Sequence, residues 1–85
     1  METTRQNKIG RMLQKEMGEI MLLHARDIHG ILITVSNVRV TADLGIAYVY
    51  LSIFPSEKAK EILVGIEEKS KFIRFELGKR IRHQL

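Results

Sequence analysis

Lys71, Arg74, Lys79 and Arg82 fall beside the apolar stripe of a helical pattern near the end of this sequence, with Gly78 among them. Basic side chains at that spacing can neutralise successive phosphates, and a glycine between them lets a backbone approach closely. Phe75 lies on the same flank and Phe72 further round. Either ring has the chemistry to stack on an unpaired base. Aromatic residues at helical spacing more commonly belong to a core, however, and core is the expectation for both. A second basic stripe, Lys8, Arg11 and Lys15, runs along an earlier helical segment, where a solvated face accounts for it as well as RNA contact does. Tyr48 and Tyr50 alternate on one side of a strand pattern and are read first as good strand formers.

Catalytic chemistry finds little to work with. The chain has no cysteine, which removes thiolate metal sites and disulfides. His24, His29 and His83 do not have the spacing of a compact metal site, and His24 reads as a half-buried residue at a helix end. Asp43 has no histidine, serine or cysteine partner suggested nearby, so its expected role is to accept backbone N–H bonds in a turn. No glycine-rich phosphate loop is present. The expectation is a protein that is not an enzyme and needs no cofactor. The formal charge is +4 and the isoelectric point about 9.7, which favours a polyanionic partner. No apolar run reaches the ~18–20 residues of a membrane span, and the first residues lack a signal-peptide core, so a cytoplasmic location without membrane is expected.

Four elements must position these groups. With 85 residues and 45% apolar content, the chain reads as one small domain over residues 1–85. Thr3 and Gln6 form a candidate capping box, after which Ile9, Leu13, Met17, Ile20 and His24 recur at helical spacing. Residues 31–40 are rich in β-branched side chains. Ile31, Ile33 and Val35 share one parity and Val38 and Val40 the other, so a bulge near Ser36-Asn37 is required to keep one buried face. A turn over residues 41–45 leads into a second alternating strand ending at Pro55, and Ser56 is a candidate N-cap. From Glu57 the apolar positions Ile62, Ile66, Ile73, Leu77 and Ile81 keep helical spacing for so long that a bend is expected. The expected core is Ile9, Leu13, Met17, Ile20, Ile33, Val35, Val49, Leu51, Ile66, Ile73 and Leu77.

This order, with Val38-Arg39-Val40-Thr41-Ala42-Asp43-Leu44 between the strands, resembles the ribosome-binding factor A family and its Val-x-Val-Ser-x-Asp-Leu signature. Ala47-Tyr48-Val49-Tyr50-Leu51-Ser52, Phe72-Ile73-Arg74 and Lys79-Arg80-Ile81-Arg82 are similar to further family segments and arrive in the same order. The resemblance implies an α+β, type-II KH-like fold without the Gly-x-x-Gly loop, which this sequence also lacks. It implies association with the small (30S) ribosomal subunit and assistance in its late maturation and 16S rRNA processing, as a monomer without catalytic activity. It also adds Lys69 and Arg80 to the candidate RNA contacts.

Two departures from the family pattern carry consequences. Lys69-Ser70-Lys71 stands where the family has an Ala-x-Gly bend, so the bend, expected between Glu67 and Phe72, would have to use Ser70. The sequence stops at His83-Gln84-Leu85, before the short third strand of the family, so a C-terminally shortened chain and an unpaired hairpin edge are expected. That edge supports an alternative reading, a protein-interaction module that dimerises through the hairpin. A further alternative is a general KH-type domain for single-stranded RNA.

Overall fold

Thr3 starts the first helix by the reciprocal mechanism its side chain makes available. The structure is a computed structural model that describes residues 3–82. Helix α1 (Thr4–Arg26) opens where Thr3 Oγ1 accepts from the Gln6 N–H at 3.1 Å and Gln6 Oε1 accepts from the Thr3 N–H at 2.8 Å. That is the expected capping box. Gln6 also donates through Nε2 to the Val40 carbonyl at 2.9 Å, a buried bond that ties the first turn of α1 to a distant strand end. Four residues on, a Cβ at Gly10 would stand 3.4 Å from the Val38 carbonyl oxygen. Glycine here lets helix and strand pack closely, which offsets its cost to the helix of about 1 kcal/mol.

Strands β1 (Leu32–Val40) and β2 (Ala47–Phe54) form a two-stranded antiparallel sheet. Their register shifts between Val35 and Asn37, where the bulge was expected. Ser36 is the extra residue, and its hydroxyl donates to the Tyr50 carbonyl at 3.1 Å. The bulge flips parity, so Ile33 and Val35 before it and Val38 and Val40 after it face the same helix layer.

The connection between the strands runs one residue longer than expected, over residues 41–46, because β2 begins only at Ala47. Thr41 and Asp43 organise it. The Thr41 hydroxyl donates to Asp43 Oδ1 at 2.6 Å and accepts from the Ile46 N–H, while Asp43 Oδ1 also accepts from the Gly45 N–H at 3.0 Å. Asp43 therefore has the turn-fixing role read for it. These bonds hold its carboxyl below the ordinary aspartate range, the Thr41 hydroxyl contributing most. Leu44 takes a left-handed φ of 60° without being glycine, and its side chain packs against Leu13, Val38 and Val40. That packing offsets the backbone strain.

After Pro55 a 3-10 turn (Ser56–Lys58) leads into α2 (Ala59–Glu68). The N-cap position falls on Pro55, so Ser56 is already inside the turn and makes no capping bond, contrary to expectation. The helix is then interrupted at Lys69 and resumes as α3 (Ser70–Arg82), within the interval where a bend was expected. The means differs. Lys69 adopts φ −99° and ψ 13°, its N–H turning to the Ile66 and Glu67 carbonyls, and the Ser70 hydroxyl makes no hydrogen bond among the described residues.

Both α1 and α3 pack on one face of the hairpin. Met17, Ile20, Met21, Ala25, Ile33 and Ile73 form the larger cluster, and Leu13, Val38 and Val40 the smaller. Of the expected core, Leu13, Met17, Ile20, Ile33 and Ile73 are buried, whereas Ile9, Val35, Val49, Leu51, Ile66 and Leu77 are half-buried. One helix layer over a narrow sheet leaves positions at the margin only partly covered.

Candidate nucleic-acid interface

Helix α3 has two sides of different chemistry. Ile73, Leu77 and Ile81 face α1 and the sheet. At 100° per residue, Lys71, Phe75, Lys79 and Arg82 lie on the opposite side, Lys71 and Lys79 each one turn from Phe75. All four are exposed, Phe75 by 60%. Lys79 Nζ stands 5.5 Å from the Phe75 ring centroid and 3.7 Å from Glu76 Oε1. The ring therefore sits within a row of cations with its surface open to solvent. Gly78 lies beside the row, and Arg74 is exposed on its flank.

Phe72 and Phe75 correct the sequence reading, which placed both in the core. Phe72 is 62% exposed, and both rings fall off the Ile73–Leu77 stripe that the thin core can cover. Phe72 borders a groove of about 430 Å³ between α1 and α3, together with Ile20, His24 and Lys69. Lys69 is thus at the helix interruption, apart from the outward row. His24 is half-buried, as expected. Burial chiefly, and then the Lys69 charge, hold its pKa below the ordinary value, while Asp27 opposes them.

Arg80 also departs from expectation. Its Nη1 donates to Glu16 Oε1 at 3.2 Å and Glu19 Oε2 at 3.0 Å, both on α1. Glu16 is only 4% exposed, so the guanidinium balances a buried carboxylate. This intramolecular bridge takes Arg80 out of the outward row expected to meet phosphates. The signal was in the sequence. Glu16 lies three residues after Leu13 and four before Ile20, and Arg80 lies three after Leu77. Two opposite charges inside two apolar stripes are candidates to pair.

Lys8, Arg11 and Lys15 are exposed along the solvent side of α1, and none makes an ion pair among the described residues. Arg11 also borders a polar groove with Asn7, Gln14 and Asn37. The Glu16–Arg80–Glu19 bridge lies where α1 meets α3, so the two basic stripes belong to different helices joined by a neutralised seam. No group of three His, Cys, Asp or Glu that could hold a metal ion occurs among the described residues. None of their helices is long and apolar enough to cross a membrane.

The family model for ribosome-binding factor A matches residues 5–85 of this sequence. The chain belongs to the ribosome-binding factor A family. Curated proteins named ribosome-binding factor A are similar to it over essentially its whole length. That of Flavobacterium johnsoniae is 48% identical over 100% of this chain and 67% of its own. That of Christiangramia forsetii is 49% identical over 99% of this chain and 66% of its own. The protein of Cytophaga hutchinsonii is 41% identical, covering 100% and 65% respectively. This chain therefore spans about two thirds of the length of these ribosome-binding factor A relatives. The α+β order of helix, hairpin and broken helix accords with membership of that family.

Proposed function

We propose that this member of the ribosome-binding factor A family binds the small (30S) ribosomal subunit through 16S rRNA. In this reading it assists late maturation of the subunit and processing of its RNA. Residues 1–85 act as one KH-like unit, a monomer in the cytoplasm with no catalytic step of its own. The mechanism is occupancy: a rigid basic surface holds an immature RNA segment in one arrangement until the site matures and the protein leaves.

The observation that carries this reading is the exposed Phe75 in its row of Lys71, Lys79 and Arg82. A ring left in water at a cost in hydrophobic burial, with cations a turn away on both sides, suits a stacked base and its flanking phosphates. Arg74 and Lys69 extend the positive field, and Lys8, Arg11 and Lys15 supply a second, weaker contribution from α1. The family membership supplies the ribosomal partner, since the similar proteins are named for it.

Co-sedimentation of the tagged protein with free small subunits, against assembled ribosomes, tests the reading. The combined Lys71→Glu, Lys79→Glu and Arg82→Glu variant is expected to leave the subunit fraction while keeping a wild-type circular dichroism spectrum. If each cation meets one phosphate, the logarithmic salt slope of RNA binding becomes shallower by about 2. Reversing Lys8, Arg11 and Lys15 has a smaller effect. Full subunit association by a folded α3 variant, with unchanged salt slope, rejects this surface.

A further inference from the structure

The hairpin has a second face, turned away from the helices. On it the register sets Arg39 opposite Tyr48, Asn37 opposite Tyr50 and Leu32 opposite Phe54. All six side chains are exposed, Phe54 by 69%. Across β1 and β2 the only charged residue is Arg39, which makes no ion pair among the described residues. Neither strand carries a carboxylate. An anionic ligand lying along the strands therefore meets the Arg39 guanidinium and no strand carboxylate.

We infer that this open face is a second RNA-binding site, one that takes a short unpaired segment by stacking its bases on Tyr48 and Tyr50. The spacing supports it. Two residues along a strand separate same-face side chains by roughly 6.6–6.8 Å, twice the rise per residue, a distance that successive splayed nucleotides can span. A cross-strand partner fits the remaining chemistry. Arg39, cross-strand from Tyr48, can pair with a phosphate or stack its guanidinium plane on a base. Strand pairing and the Ser36 bond to the Tyr50 carbonyl hold the backbone beneath both rings. This site lies on the sheet, across the core from Phe75 and its cations, so one RNA can be gripped on two sides of the protein. The inference rests on the reading that the protein binds RNA, but not on α3 being the surface that does so.

Tyr48 and Tyr50 are the only tyrosines, and the chain has no tryptophan. Intrinsic emission of the whole chain therefore reports this face alone. Titration with hexauridylate, an unstructured probe, is expected to quench that emission saturably. Binding of fluorescein-labelled hexauridylate, followed by anisotropy, should weaken about tenfold for Tyr48→Ala and again for Tyr50→Ala, a loss of stacking on each ring. The Tyr48→Phe and Tyr50→Phe variants, which keep the rings, retain wild-type affinity. Arg39→Gln makes the salt slope shallower by about 0.7. The α3 charge-reversal variant keeps the tyrosine quenching. If the oligonucleotide fails to bind, or binds with emission and alanine-variant affinities unchanged, the inference is overturned while subunit association through α3 stands. Quenching that persists in an α3 variant still sedimenting with subunits rejects α3 and sustains this site. Concentration-dependent self-association that the alanine variants abolish would assign the face to a second copy of the chain and overturn the inference.

Discussion

Helix α1 and the α2–α3 arm are built from equal lengths of helix, 23 residues against 10 and 13, and differ in almost everything else. Helix α1 is unbroken, begins with a capping box and buries residues from Gln6 to Ala25 along its inner face. Helix α2 buries none, and α3 buries Ile73 alone. The arm instead leaves Leu63, Val64, Phe72 and Phe75 exposed. Burial sets how much a substitution costs the fold, so the fold depends on α1 and the hairpin. The arm keeps its rings and cations available to a partner.

The sharpest way to break that comparison is to truncate an apolar side chain on each side. Met21 is wholly buried in the α1 layer, whereas Val64 on α2 is half in solvent. Met21→Ala is expected to cost about 3 kcal/mol through lost transfer energy and a residual cavity. Val64→Ala should change stability by less than about 0.5 kcal/mol. Urea denaturation midpoints at a common m-value measure both. Equal losses would mean that the arm is as integral to the core as α1.

A smaller effect separates two arginines on one helix. Arg80 bridges to buried Glu16 and to Glu19, while Arg82 stands exposed. Arg80→Ala takes one cationic partner from the buried Glu16 carboxylate and is expected to cost roughly 2 kcal/mol, less than for a fully buried pair because water reaches the arginine side. Arg82→Ala should leave stability within about 0.5 kcal/mol. Under the proposed function the order is expected to reverse for RNA affinity, Arg82→Ala weakening it directly and Arg80→Ala only through the placement of α3. Glu16→Gln in the Arg80→Ala background should restore part of the lost stability, since it removes the buried charge that Arg80 no longer balances. Failure of that rescue would deny the pairing its structural role.

Sequence pattern revealed the elements that obey local rules and missed those decided by tertiary contact. The capping box and the bulge at Ser36 were legible because each follows from neighbouring residues, Thr3 with Gln6 and a parity change. The overlong apolar period called only for a bend, and the family resemblance alone placed it near Lys69. The two phenylalanines were misread because helical spacing does not say how wide a stripe the opposing layer can cover. The Arg80 bridge was hidden for a related reason. The place of Arg80 in a basic stretch hid its place in the apolar stripe, and only the packing of α3 on α1 brings Glu16 within reach. The outward grouping of Lys71, Lys79 and Arg82 around Phe75 was half legible, the cations from their spacing and the ring's exposure not at all.

The most modest effect concerns the point where the two regions touch, the groove between the end of α1 and the helix interruption. His24 lies there with Asp27, Lys69, Glu76 and Arg80 around it. Burial first, and the Lys69 charge second, depress its folded pKa below the ordinary 6.5. As pH falls below that value, the unfolded chain takes up this proton before the folded protein does. His24 therefore makes stability rise with pH between its folded pKa and 6.5, and this contribution is lost as pH falls through that window. His24→Gln should flatten the slope there, read as the change of urea midpoint with pH. Lys69→Gln should make it shallower without abolishing it, because burial remains. Asp43 titrates in a separate, more acidic window: its folded pKa is lowered, so the turn loses its contribution as pH falls below the ordinary aspartate value. Asp43→Asn should remove that second loss and leave the His24 window unchanged. A Lys69→Gln slope identical to wild type would show that the charge at the interruption does not reach α1, and that the two regions meet through apolar packing alone.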